Sequence, residues 1–333
     1  MTASLPEVEL TEIEVISGRS RIPGLNAMRA TSGFQRGMLL AGGIIVAFFV
    51  VLAVFAPLIA PYGFNDASSG GVDFQTLQAP SAKHWFGTAV GGEDVFSQVV
   101  YGAQTALEVI ILAVALSIVV GVPLGLLSGY FGGWLDRVLV LVSDALFSFP
   151  SLLLAIVIVI SISNGSSSKT GGIIAAAVAI TVVYVPQYFR VVRNATVAAR
   201  EETYVEAARA LGASPFAIMT RYVFSNVVQT VPVIATLNAG DAILTLAGLG
   251  FLGFGIEPSS GAEWGYELQM ALSDTEACIW WTGTFPGLSI VLIVVGVTLV
   301  GESLNDVLNP LLRTTKVTQV VLPKRAPDTG ESA

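Results

Sequence analysis

The sequence predicts an all-α integral membrane protein with six transmembrane helices. Only 12% of its 333 residues are charged, against about 25% in a soluble domain, and its mean hydropathy is +0.75. Charge-free windows run over 37–65, 109–135, 145–168, 170–189 and 277–301. A sixth window, 222–256, is broken only by Asp241. Each is long enough to cross a hydrocarbon core of about 30 Å. The Lys and Arg residues fall in alternate loops, which is the pattern that orients a multi-pass chain.

The first span is predicted near 38–60. The 37 mostly polar residues before it, and the length of its apolar stretch, do not fit a cleaved secretory signal. An outer loop, 61–104, follows. Spans near 105–128, 137–161, 172–190, 228–255 and 284–307 then make a five-helix core over 105–312. Solid apolar runs exclude a membrane β-barrel, whose strands alternate polar and apolar residues. Residues 1–37 form a tail ahead of the first span and 313–333 a tail after the last. Their distal parts, 1–30 and 317–333, are polar, lack helical periodicity and are expected to be disordered.

Fourteen of the 16 positive charges lie on one side: four before the first span, Arg137, five between spans four and five, and four in the last tail. Only Lys83 and Lys169 fall on the other. Both termini are therefore predicted to be cytoplasmic. The outer loops are acidic, with Asp66, Asp73, Glu93 and Asp94 in the first and Glu257, Glu263, Glu267, Asp274 and Glu276 in the third. The net charge of −8 and the lack of a basic face exclude a nucleic-acid partner. One Cys and one His exclude a disulfide framework and a Cys- or His-cluster metal site. No cofactor, metal or catalytic group is expected.

The longest cytoplasmic connection, 190–226, reads as two helices, about 190–211 and 215–226. Gly212 suits a left-handed helix end. Ser214 suits an N-cap and Pro215 the first helical position. Val205, Ala208 and Leu211 share one stripe, and Ala207, Ala208, Ala210 and Ala213 cluster round the bend. Such a pair either packs on the ends of the spans or docks a partner.

Glu206-Ala207-Ala208, three residues and then Gly212 resemble the cytoplasmic loop signature of permease subunits of ABC importers. The stretches 86–103, 123–156, 248–258 and 280–290 are similar to the dipeptide and oligopeptide permeases, to the second of their two membrane subunits. The resemblance covers about 38–312. It implies a coupling helix that rests on an ATPase, with Glu206, Ala207, Ala208, Gly212, Ala213 and Ser214 carrying the contact. It also implies a second related permease chain, two cytoplasmic ATPases, an extracytoplasmic binding protein, short peptides as substrate and alternating access as mechanism. Nickel, glutathione and other small solutes are the alternative substrates in such systems. The chain departs from the family pattern at Ser225, where a proline is usual. It departs at Ala89, Glu93 and Gln98, where charged residues of other kinds are usual, and at Leu246, where a Glu is usual.

Asp241 lies near the middle of the fifth span, where a charge costs about 2.5–3.5 kcal/mol on insertion scales. With Asn238 one turn earlier, it is a candidate for the translocation path or for a buried polar contact. Some of Asp144, Glu302 and Asp306 are expected to pair with Arg137 or Arg313. Trp280 and Trp281 read as interfacial anchors, Cys278 as an incidental thiol, and His84 as a lone residue with no metal. Gly248, Gly250 and Gly253 match a dinucleotide fingerprint but sit in an apolar span, where glycines serve tight packing. Gly121, Gly125 and Gly129 read the same way. Ser166–Thr170 lacks the glycine of a phosphate loop. With no ATP-binding motif, the energy for transport must come from partner chains. An ion-coupled secondary transporter is the rival from another class, but no internal repeat supports it.

Overall fold

The computed structural model describes residues 33–163, 168–256 and 258–308. The expected disordered segments 1–30 and 317–333, Arg313, Ser166, Ser167 and Glu257 lie outside them, as does the side chain of Asp306. The chain folds as helices α1 (Gly33–Val54), α2 (Ala56–Ile59), a hairpin of β1 (Ser68–Ser69) with β2 (Val72–Asp73), then α3 (Val95–Phe131), α4 (Gly133–Phe147), α5 (Ser151–Ser163), α6 (Lys169–Arg200) and α7 (Thr203–Ala210). It continues through α8 (Pro215–Ala217), a π-helical turn (Ile218–Val223), α9 (Phe224–Val227), a 3-10 turn (Val228–Thr230) and α10 (Val231–Phe251). It ends with α11 (Trp264–Glu276) and α12 (Trp281–Leu308).

Among the described residues, five helices are long and apolar enough to cross a membrane: Gln35–Val54, Val95–Phe131, Lys169–Arg200, Pro215–Phe251 and Trp281–Asn305. The expected third span is not one helix. It is the pair α4 and α5, bent by 97° at residues 148–150. Pro150 explains the break, because it disfavours helical backbone at Phe149 and has no N–H to donate. Taken together as one broken span, the pair brings the candidate crossings among the described residues to six. α3 and α6 run parallel, since Gly121, Gly125 and Gly129 face Tyr188, Val192 and Thr196 in register. Two parallel neighbours require the chain between them to return to the starting end. At the α7 end of the bundle, α4 is held against α6 by two ion pairs, and α5 packs beside Ala179 on the way back.

The α3–α6 pair is the spine of the bundle. A Cβ at Gly121 would lie 2.6 Å from Tyr188 Cβ, one at Gly125 2.8 Å from the Phe189 carbonyl oxygen, and one at Gly129 2.7 Å from that of Arg193. The repeat of four thus removes side chains where the two backbones approach. Gly125→Leu is expected to push the helices apart. Overpacking costs about 1–3 kcal/mol, and here neither backbone can yield. A drop in melting temperature of the purified protein, with Gly125→Ala milder, is the readout.

The bounds of several elements differ from expectation for local reasons. α3 starts at Val95, ten residues before the predicted span. Residues 95–104 are too polar for a hydropathy window but pack on the connecting segments, and Asp94 caps them, accepting from Ser97 N at 2.8 Å. α6 continues past its apolar part to Arg200, so 190–200 belongs to the span helix and not to a separate loop helix. The second loop helix does not stop at 226 but runs through the π and 3-10 turns into α10, which ends at Phe251. At Ser225, where a proline would have ended a helix, the Ser225 hydroxyl donates to the Arg221 carbonyl at 2.7 Å.

The hairpin end is built on a buried pair. His84 Nδ1 lies 2.9 Å from Asp94 Oδ1, both side chains are almost fully buried, and Tyr62 and Phe74 pack on the imidazole. His84 is thus not a lone residue. Trp280 is exposed as an anchor would be, but Trp281 is buried and donates to the Thr88 carbonyl at 3.2 Å. Trp264 donates to the Val99 carbonyl at 3.0 Å, fastening α11 to α3.

Candidate functional site

α7 hangs between α6 and the π-helical turn. Glu202 leaves helical geometry with ψ 145° and starts the short helix. Val205 and Ala208 are buried and pack into the core with Ile218 and Val223. Asn226 Nδ2 donates to the Tyr204 hydroxyl at 2.6 Å, a second tie from α7 to the following segment. Gly212 has φ +82°, and the Ala213 N–H reaches back to the Ala208 carbonyl at 3.1 Å. This is the left-handed helix stop that the sequence announced. Ser214 accepts from Ala217 N at 3.3 Å and Pro215 opens the next helix.

The stripe reading was right for two residues and wrong for the third. Leu211 is 89% exposed because the chain is already turning there. It stands with Phe216, 70% exposed, at the tip. Glu206, Ala207 and Arg209 are exposed, Ala213 is half-buried and Ser214 is exposed. One face of α7 is therefore rooted and the other presents a small, mixed patch: Glu206, Ala207, Ala210, Leu211 and Phe216.

The end of α6 that leads into α7 is held to α4 and α3 by arginines. Arg193 makes a two-pronged bond to Asp136, Nε to Oδ1 at 2.5 Å and Nη2 to Oδ2 at 2.6 Å. Arg190 donates to Asp144 at 2.6 Å, so Asp144 has a partner other than the expected Arg137 or Arg313. Arg200 Nη1 caps the end of α3 through the Gly129 carbonyl at 3.0 Å. The chain-end carbonyls of a helix need such donors.

Asn238 and Asp241 do not share a face. Asn238 is 1% exposed, with its amide beside the Tyr188 hydroxyl. Asp241 is exposed, in line with Leu237 and Leu244. The wall behind it is closed by Tyr184, whose hydroxyl is 3.1 Å from Thr245 Oγ1.

At the hairpin end, the sequence placed Glu263, Glu267 and Asp274 in an acidic loop but did not show that Glu263 and Asp274 are buried. Glu263 is buried and caps α11, accepting from Gly265 N at 2.8 Å and Tyr266 N at 3.0 Å. Burial pushes its carboxyl up to about 7 despite those bonds. Glu267 is pushed up to about 8 by burial first, then by the charges of Glu263 and Glu93. Gly250, one of the three fingerprint-like glycines, and Gly255 lie against the Glu263 carboxylate and give room for this cap. Both acids hold protons in the fold that they would lose in the unfolded chain from their usual 4.5 upward. Stability is thus greatest below that value and falls as pH rises through about 7 to 8. The melting temperature is expected to decline between pH 5 and pH 8, and Glu267→Gln to flatten the decline.

Helices long and apolar enough to cross a bilayer several times fit a multi-pass membrane protein. Residues 121–314 match the family described as binding-protein-dependent transport system inner membrane component. Residues 34–80 match the N-terminal TM domain of oligopeptide transport permease C. The chain is 38% identical over 277 residues to the dipeptide transport system permease protein DppC of Alkalihalophilus pseudofirmus, covering 82% of this chain and 86% of the relative. It is 36% identical over 280 residues to the glutathione transport system permease protein GsiD of Escherichia coli, covering 84% and 88%. To the protein of that name from Pectobacterium atrosepticum it is 34% identical over 274 residues, covering 82% and 87%. The chain belongs to the membrane permease subunits of ABC importers, and within them to the C-type subunits of the dipeptide and oligopeptide permeases. It is a multi-pass protein of the cell membrane. The family is a permease and not an ATPase, and it works with ATPase and substrate-binding partners.

Proposed function

We propose that this chain is one of two related subunits that enclose a path for short peptides, with α7 as the helix that receives the ATPase. The α7 end and both termini are cytoplasmic, and the hairpin end with residues 61–94 and 252–280 faces the binding protein. The observation that carries the reading is the divided α7. Val205 and Ala208 root it in the bundle, while Glu206, Ala207 and the tip residues Leu211 and Phe216 are left open. A rooted helix with an open face can take up a displacement and pass it to the spans behind it. The positive-charge pattern supports the orientation, because the arginines of α6 and of 209–221 gather at this end.

The cycle follows from linkage. Closure of two ATPases on ATP shifts the bundle from an inward-open to an outward-open state only by contacting the two states differently. Glu206, Ala207, Ala208, Gly212, Ala213 and Ser214 make or position that contact. Asp241, exposed on α10 among apolar neighbours, faces the path or the second permease subunit, and buried Asn238 holds the wall behind it.

A relative named as a dipeptide permease favours peptides, and relatives named as glutathione permeases give the second reading. The test is uptake of labelled dialanine and of glutathione by the reconstituted system with its own binding protein and ATPases. Saturable, ATP-dependent uptake of dialanine that Gly212→Trp abolishes is the expected outcome. Uptake of glutathione alone selects the second reading. No retention of an ATPase by the purified wild-type subunits refutes the docking role of α7.

A further inference from the structure

A cavity of about 140 Å³ opens at the hairpin end between the segment before α3 and the start of α11. Its lining includes Glu93, Gln98, Tyr266 and Glu267, and no Lys or Arg. Gln98 is only 9% exposed, and its Oε1 has no hydrogen-bond partner. A buried acceptor left unpaired costs about 1–3 kcal/mol, so this oxygen is set for a donor that comes from elsewhere. Ala89, Glu93 and Gln98, three positions at which the chain departs from the pattern it resembles, all line this one space.

We propose that this cavity binds a primary ammonium group, the N-terminal amine of the transported peptide, between the carboxylates of Glu93 and Glu267 and the Oε1 of Gln98. The proposal rests on the peptide-permease reading above. An ammonium has three donors and no acceptor, which matches three acceptors with no cation among them. Among the described residues no group of His, Cys, Asp or Glu is arranged to hold a metal ion. A water occupies about 30 Å³ in the liquid, so the space admits an amino terminus and its first residue but not a whole peptide.

Proton linkage gives the site a signature. The groups that face Glu267 are Glu93 ahead of α3, and Glu263, Tyr266 and Asp274 of the α11 region. Lys169 of α6 lays its stem against Gly261, but its amine turns to Glu108 at 3.7 Å. The empty cavity therefore holds Glu267 protonated up to about pH 8. The ammonium pairs with the ionised carboxylate, so binding releases a proton and tightens as pH rises towards that value.

The test uses the purified complete transporter at pH 8, melted in ethylammonium chloride or in tetramethylammonium chloride at equal ionic strength. The first should raise the melting temperature saturably; the second, with no N–H, should not. Glu267→Gln should raise the half-saturating concentration at least tenfold and Gln98→Leu about threefold. If Glu267→Gln lowers the salt-free melting point by itself, Gln98→Met carries the comparison. Identical curves for the two salts, or for wild type and variants, overturn the site. The source of the ammonium is read from dialanine uptake with saturating binding protein. A raised KM with kcat retained in Glu267→Gln supports the substrate, whereas an unchanged KM with weaker binding-protein affinity overturns that assignment in favour of a lysine on the binding protein. Saturable ethylammonium stabilisation without any dialanine uptake refutes the peptide reading and not the site.

Discussion

Glu206→Lys should cut substrate uptake by the assembled transporter at least tenfold while leaving the subunit folded in the membrane. Glu206 is exposed in the first turn of α7, and its carboxylate makes no hydrogen bond or ion pair among the described residues. Its only structural service is to the helix dipole, where a carboxylate contributes about 0.3–1 kcal/mol. Reversing the sign therefore costs about 2 kcal/mol at most, which the rooted Val205 and Ala208 can absorb. Glu206→Gln separates the two roles, because it removes the dipole contribution without adding a cation. Uptake by the Gln variant should stay within about threefold of wild type. Equal losses in both variants would mean that the helix itself has failed; normal uptake by the Lys variant would sink the docking role. Binding-protein-stimulated ATP hydrolysis, measured on the same preparations, should fall with uptake in the Lys variant alone.

Asp94→Ala should be the most damaging single change at the opposite end. Asp94 is fully buried and serves three groups: His84 Nδ1 at 2.9 Å, Ser97 N at 2.8 Å and Ser97 Oγ at 2.8 Å. Losing an N-cap costs about 1 kcal/mol, and leaving the buried His84 Nδ1 and Ser97 Oγ without their partner about 1–3 kcal/mol each. The sum approaches the whole stability of many domains. The expected outcome is a large drop in melting temperature and in the yield of assembled protein. Asp94→Asn keeps an acceptor for the Ser97 N–H and should lose less. A melting temperature within a degree of wild type for Asp94→Ala would show that the hairpin end does not depend on this pair.

The apolar spans were legible because hydropathy acts on whole windows, and a bilayer demands about 20 apolar residues at once. The break in the third span was legible too, in Pro150, but an unbroken charge-free window concealed it. The stop at Gly212 and the cap at Ser214 could be read because each needs one residue type at one place. Leu211 could not be placed by periodicity, because periodicity holds only while the helix lasts, and α7 ends at Ala210. Helix α11, the pairing of His84 with Asp94 and the burial of Trp281 were not visible. They depend on which loops meet, and loop polarity in a sequence does not say what a loop will cover. The same holds for Gln98, which reads as a polar residue near a span and becomes notable only when its oxygen is found buried and alone.

The two chain segments that flank α7 differ in stiffness. On one side α6 is a single helix of 32 residues, about 48 Å long, from Lys169 beside the cavity to Arg200 at the base of α7. On the other side, between Pro215 and Val231, the chain passes through α, π, α and 3-10 geometry in succession. The first is the stiffer arm, although Pro186 inside it leaves one helical hydrogen bond unmade, and the second is the more compliant. Under the docking role proposed for α7, a load placed there would travel along the stiffer arm to the far end of the molecule, while the compliant arm would let α10 shift its angle without dragging α7 along. Such a linkage would be lopsided: one arm would set where the motion arrives, and the other how far the opposite wall could swing.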